Sequence, residues 1–203
     1  MNRSKISIVI LIALIVSLGI SFHLSISHNV AQGWARRNLI NQVFFSFKDV
    51  SLNVNVIIDN IEAGLTDGES NRGTIFLIIR DLLKVDAMLK RYPVWFPNER
   101  LYYGGFPDFD HIAYTLDFGS GTVNEISYNC ILLDNAISEN EFLYLSALGE
   151  HTAIIVNAML STENPLQENP DISIAQLNGI LNDFFIVWSW SNENSPFLLL
   201  RSE

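Results

Sequence analysis

Residues 6–26 read ISIVILIALIVSLGISFHLSI, a run of 21 residues without Asp, Glu, Lys or Arg. Arg3 and Lys5 precede it, and His23 is its only titratable side chain. As a helix it would be about 31 Å long at about 1.5 Å per residue, enough to cross the hydrocarbon core of a bilayer. The run therefore reads as a transmembrane segment, with residues 1–5 as a short tail and residues 27–203 as a separate domain. A cleaved secretory signal is the competing reading. Such signals have shorter apolar cores and a small-x-small cleavage site, and Ser25-Ile26-Ser27 is only a passable one. The bulky Ile, Leu and Val content favours a permanent signal anchor. His23, near the outer end, reads as a side chain reaching for the interface.

Basic residues close to a membrane helix tend to stay in the cytoplasm. Arg3 and Lys5 lie nearer the run than Arg36 and Arg37, so the expected topology is single-pass, with the N-terminus cytoplasmic and the C-terminal domain outside the cell membrane. All 22 acidic residues follow the anchor, against ten of the twelve basic ones, which leaves the outer part at about −12. A surface so acidic repels phosphate backbones, and nucleic acid is excluded as the expected partner. Cys130 is the only cysteine, so no internal disulfide can form and stability must come from packing. The one Asn-x-Ser/Thr triplet is Asn2-Arg3-Ser4, on the tail. The absence of acceptor sites outside points to a bacterial envelope.

Beyond the anchor the apolar residues recur at helical steps of three and four. Val30, Trp34, Ile40, Phe44, Phe47, Val50, Val54 and Ile57 give one stripe, with a helix ending near Glu62 and a loop through Gly64 and Gly68. A second helix is expected from about Asn71 to Arg91, with Ile75, Phe76, Ile79, Leu82, Leu83 and Leu89 inward and Pro93 as its stop. A third is expected over Thr122–Ile137. A fourth runs to Leu160, for which Ser138-Glu139-Asn140-Glu141 has capping-box spacing. A fifth extends from Asp171 or Ser173 to Trp190, after a polar linker at 162–170. The expected fold class is all-α: a transmembrane helix followed by an extracytoplasmic antiparallel bundle of four or five helices.

Residues 93–118 break this regularity. Pro93, Pro97, Gly104, Gly105 and Pro107 punctuate a segment rich in aromatics, with at most one short helix near Asp110–Leu116. Trp95, Phe96, Tyr102, Tyr103, Phe106 and Phe109 are the candidate ligand- or partner-binding residues, because aromatic rings offer large contact area at low entropic cost. The competing reading is that these rings seal one end of the bundle. Asp108, Asp110 and His111 suggest metal ligands only weakly, since neither a calcium-loop pattern nor an HExxH pair is present. Glu150-His151 with His111 would be the sole acid–base candidate. Nucleophile elbows, phosphate loops and dinucleotide fingerprints do not occur. No catalytic residue, metal or cofactor is assigned.

A membrane helix leading into an outer helical bundle resembles the sensing half of bacterial receptors. Those return through a second span, and the closing patch Phe197–Leu200 is too short for one, so no family is assigned. The expected function is a non-enzymatic protein-interaction or accessory module of the cell envelope, partnered by the membrane through residues 6–26 and by another envelope protein. A sensor-like domain binding a small-molecule ligand is the alternative, and an envelope hydrolase ranks third.

Overall fold

The structure, a computed structural model, describes residues 3–66, 68–96, 109–117, 121–123, 126–128, 131, 136–164, 166–189 and 191–201. It is overwhelmingly helical. The elements are α1 (Arg3–Glu62), α2 (Gly68–Trp95), α3 (Phe109–Asp117), β1 (Gly121–Val123), β2 (Ile126–Tyr128), α4 (Glu139–Met159) and α5 (Ile174–Val187), closed by a 3-10 turn at Pro196–Leu200. Two compact units divide the chain, Met1–Leu39 and Ile40–Glu203. The first is helix α1 up to Leu39, and every described side chain in it from Leu14 to Val30 is exposed.

The second unit is organised by one rule. Within it the series Ile40, Val43, Phe47, Val50, Val54 and Ile57 of α1 and the series Asn71, Ile75, Ile78, Leu82, Val85, Leu89 and Tyr92 of α2 are buried, widened by Phe44 and Ser46 in α1 and by Ile79, Asp81 and Asp86 in α2. Both series alternate steps of three and four, as do Glu141, Leu145, Leu148, Thr152, Ile155 and Met159 in α4 and Leu177, Leu181, Phe184 and Trp188 around α5. Alternation of this kind keeps a narrow stripe on one side of a helix, the seam used by packed bundles. It also corrects the expected phase of α2: Phe76 is 43 % exposed, while Ile78 and Val85 are buried.

Local signals set the boundaries. Gly64, with φ of +87°, takes the left-handed conformation after α1. Its N–H bonds to the Ile61 carbonyl at 2.9 Å, and the Leu65 N–H bonds to that of Asn60 at 2.8 Å, the paired bonds of a Schellman cap. Buried Asn71 then fixes the turn, accepting from Asn60 Nδ2 at 3.0 Å and donating to the Leu65 carbonyl at 2.9 Å. Ser138 caps α4 and Ser173 caps α5, each in a complete capping box, with Glu141 and Gln176 respectively.

Two expectations are corrected. Pro93 does not stop α2, which continues to Trp95, and the Phe96 N–H still reaches the Tyr92 carbonyl at 2.9 Å. A proline in the last turn removes its own N–H but leaves few later bonds to disturb. Among the described residues of 122–137 no helix is found. Thr122 pairs with Ser127 and Val123 with Ile126 in an antiparallel hairpin. Thr122, Val123 and Ile126 are β-branched and suit a strand better than a helix interior, whatever their spacing. The polar linker expected at 162–170 is held at two points: the Asn169 N–H bonds to the Met159 carbonyl at 2.7 Å, and buried Glu168 accepts from Asn41 Nδ2 at 3.0 Å.

Candidate functional site

The aromatic candidates separate by position. Phe109 opens α3 and is fully buried. Its ring centroid lies 5.1 Å from Phe47, 5.4 Å from Phe184 and 4.9 Å from Phe185, so it joins α1, α3 and α5 at the centre of the core. Phe96 is also buried and stacks on Tyr92 at 4.7 Å. Both rings are packing residues, and they flank the intervening segment like two fasteners. Trp95 is the last residue of α2. Tyr102, Tyr103, Phe106, Asp108 and Cys130 lie outside the described residues.

The described polar candidates make separate contacts. Lys90 on α2 bridges Asp86 at 2.8 Å and Asp110 on α3 at 2.9 Å. His111 Nδ1 lies 3.3 Å from Asp110 Oδ1. A lysine between two carboxylates balances much of their charge, which makes this a clasp between α2 and α3 rather than a cation site. Among the described residues no group of three His, Cys, Asp or Glu side chains is arranged to hold a metal.

His151 belongs to a different neighbourhood. Its Nδ1 accepts from Trp188 Nε1 at 3.0 Å, and Trp188 stacks on Phe184 at 5.5 Å and meets Tyr144 edge-on at 5.3 Å. Tyr144 OH in turn lies 2.6 Å from Thr115 Oγ1. Burial pushes the His151 pKa below its ordinary value, against a smaller opposing pull from Glu150. An imidazole whose unprotonated nitrogen accepts from an indole donor is held in a fixed orientation by that bond. His111 and His151 thus make separate contacts, to Asp110 and to Trp188.

The longest run of exposed side chains among the described residues lies on α1. Leu18 is 70 % and Phe22 69 % exposed. This is the helix among the described residues that is long and apolar enough to cross a membrane. Beyond it, Trp34 is 74 % exposed, although the spacing from Val30 onward placed it on the inward stripe. Val30, Gly33, Trp34 and Arg37 instead line a shallow concavity on α1. The register of the buried stripe carried that information: stepped back from Ile40 by four and three, it falls on Arg36 and Gly33, not on Trp34 and Val30. The chain matches no protein-family model, no curated protein and no solved structure.

Proposed function

We propose that the chain is a single-pass membrane protein anchored by residues 6–26, with residues 27–203 outside the cell membrane as an antiparallel helical bundle that acts as a non-enzymatic interaction module of the cell envelope. The observation that carries this reading is the complete exposure of the described apolar side chains between Leu14 and Val30. Seventeen consecutive exposed positions that include nine Leu, Ile, Val or Phe side chains suit a lipid environment better than water. The short turn at 63–66 supports antiparallel placement of α1 and α2. The interaction surface is assigned to the aromatic segment between α2 and α3, with Trp95, Tyr102, Tyr103 and Phe106 as partner contacts and Phe96 and Phe109 fixing its ends in the core.

The test has two parts. Alkaline extraction of membranes should leave the full chain in the pellet, and protease added to spheroplasts should digest the domain. Crosslinking in intact cells should recover a specific envelope protein, and replacing Tyr102, Tyr103 and Phe106 together by Ser should abolish that crosslink. Recovery of the uncleaved chain in the soluble fraction would overturn the reading.

A further inference from the structure

Helices α2 and α4 each carry a second series at steps of three and four, on the side away from the core. In α2 it is Gly73, Leu77, Arg80, Lys84, Ala87 and Arg91, all exposed. In α4 it is Asn140, Leu143, Ala147, Glu150, Ile154 and Asn157, all exposed but for half-buried Ala147. Such a series is the seam that one helix offers another, and here both are open to solvent. Their charges are opposite. Five of the ten Lys and Arg residues beyond the anchor lie on α2, where Asp81 and Asp86 are buried, whereas α4 has three Glu and no Lys or Arg. Lys84 and Glu150 have no ion-pair partner among the described residues. Arg80 lies 2.8 Å from Asp81 but keeps 61 % of its side chain exposed, which leaves donors for a second carboxylate.

Direction and height also agree. α2 starts beside the end of α1, with Asn71 on Asn60, and the Asp49 charge reaches Arg80 further along. α4 is entered where the Ile137 N–H bonds to the Thr66 carbonyl at 3.1 Å, and Gly149 then packs on Val54. Both helices therefore run back along α1 in the same direction. Val54 and Leu77 are each six residues from the Asn60–Asn71 pair, so Leu77 stands level with Val54 and hence with Gly149. Matching the two seams by their steps pairs Gly73 with Leu143, Leu77 with Ala147 and Arg80 with Glu150. That register is two residues, about 3 Å, from equal height. In it Leu143 faces a glycine with no atom within 4 Å of where a Cβ would stand, and Glu150 meets a guanidinium fork.

We propose that α2 of one copy docks in parallel against α4 of a second copy of this chain, with Gly73, Leu77 and Arg80 on Leu143, Ala147 and Glu150. The contact joins unlike surfaces, so each pair keeps one open α2 and one open α4, and copies add head to tail into a ring or a row. Parallel pairing needs copies that are not inverted relative to each other. The common topology of the membrane-anchor reading supplies that, and the inference rests on the reading for nothing else.

Two differently tagged full-length chains, both with Cys130→Ser, are co-expressed, one carrying Leu77→Cys and the other Ala147→Cys. Mild oxidation should give the mixed disulfide in preference to either same-site disulfide, since facing seam positions bring Cα atoms within bridging range. Glu150→Lys in the second chain should cut the yield about fivefold, as should Arg80→Glu in the first. The two changes together should restore it, a recovery that misfolding cannot produce. Same-site disulfides in excess would mean a two-fold contact and overturn the proposal, as would a mixed yield indifferent to both charge changes. A photocrosslinker at position 84 that captures a different polypeptide and no second copy would overturn it too. Alkaline release of the wild-type chain would remove the anchor reading alone, because the disulfides report the contact between copies directly.

Discussion

Trp188 donates its indole N–H to Nδ1 of His151 across 3.0 Å, tying α5 to α4 beside the Phe184 and Tyr144 rings. The bond requires an unprotonated Nδ1, so it exists only with the neutral imidazole. Burial favours the same form and holds the native pKa below the ordinary value of 6.5.

The sign of the pH dependence follows. A histidine with a depressed native pKa binds fewer protons folded than unfolded, so stability rises with pH wherever the unfolded chain is protonated. The contribution is complete above pH 6.5 and is lost as pH falls from there through the native value. Thermal melts of the wild type from pH 8 to pH 5 should show Tm falling in the acid half of the range by more than in His151→Gln. Trp188→Phe, which lacks the donor, should also flatten the difference, at a cost of about 1 kcal/mol for the hydrogen bond in addition to the lost ring volume. Parallel curves for wild type and His151→Gln would refute the assignment.

Phe109 is the densest junction of the aromatic core, in contact with Phe47, Phe184 and Phe185. Its truncation to Ala should cost about 3–5 kcal/mol, because the surrounding rings are held by two other helices and cannot all collapse into the space. Tyr114, on the same helix but 43 % exposed, should lose far less on the same substitution. Chemical denaturation of the two variants side by side decides this, and equal losses would mean that α3 is not docked through Phe109.

How far the sequence could foretell these arrangements depends on the range of the interactions. The three-four alternation in α1, α4 and α5 is local, and so is the capping box at Ser138, so both were readable. The second box, Ser173 with Gln176, has the same spacing and was equally available. The hairpin was hidden because Ile126, Cys130, Leu133 and Ile137 happen to sit at helical intervals, while the β-branched residues argued quietly for strands. Phe109 looked like a binding residue because its partners Phe47 and Phe184 are remote in sequence. Nothing local distinguishes a ring that fills a core from one that waits for a ligand.

The two capping boxes provide an independent check on helix boundaries. Ser138 Oγ accepts from the Glu141 N–H at 3.3 Å, and Ser173 Oγ from the Gln176 N–H at 3.2 Å. Ser138→Ala and Ser173→Ala should each destabilise by about 1 kcal/mol. The caps serve different helices and share no bonding partner, so the double variant should lose close to the total of the two. A double variant no worse than either single one would show that the ends fray together.

Gly149 of α4 packs against Val54 of α1. A Cβ built there would stand 2.8 Å from Val54 Cγ1 and 3.4 Å from Val54 Cβ. Val54 is fully buried, and its branched side chain has little rotamer freedom in a helix. Two effects therefore oppose each other in Gly149→Ala: helix propensity favours alanine by about 1 kcal/mol, and overpacking costs about 1–3 kcal/mol. The clash should prevail, giving a net loss that Val54→Ala converts into a gain by making room. The discriminating quantity is the coupling between the two sites, expected at 1 kcal/mol or more in a double-mutant cycle, against about zero if the helices simply slide apart.

Val16 and Leu18 sit near the middle of the apolar run, 54 % and 70 % exposed, with no part in the buried core. An aspartate at the centre of a membrane helix costs about 3 kcal/mol on insertion. Replacing both residues by Asp should therefore remove about 6 kcal/mol, comparable with the whole gain available from the leucine and isoleucine content of a single span. The double variant should leave the membrane pellet while its helical circular dichroism stays near that of the wild type. A double variant that still resists alkaline extraction would mean that something other than this stretch retains the protein. A variant that dissolves but unfolds would mean that the exposed residues support the fold after all.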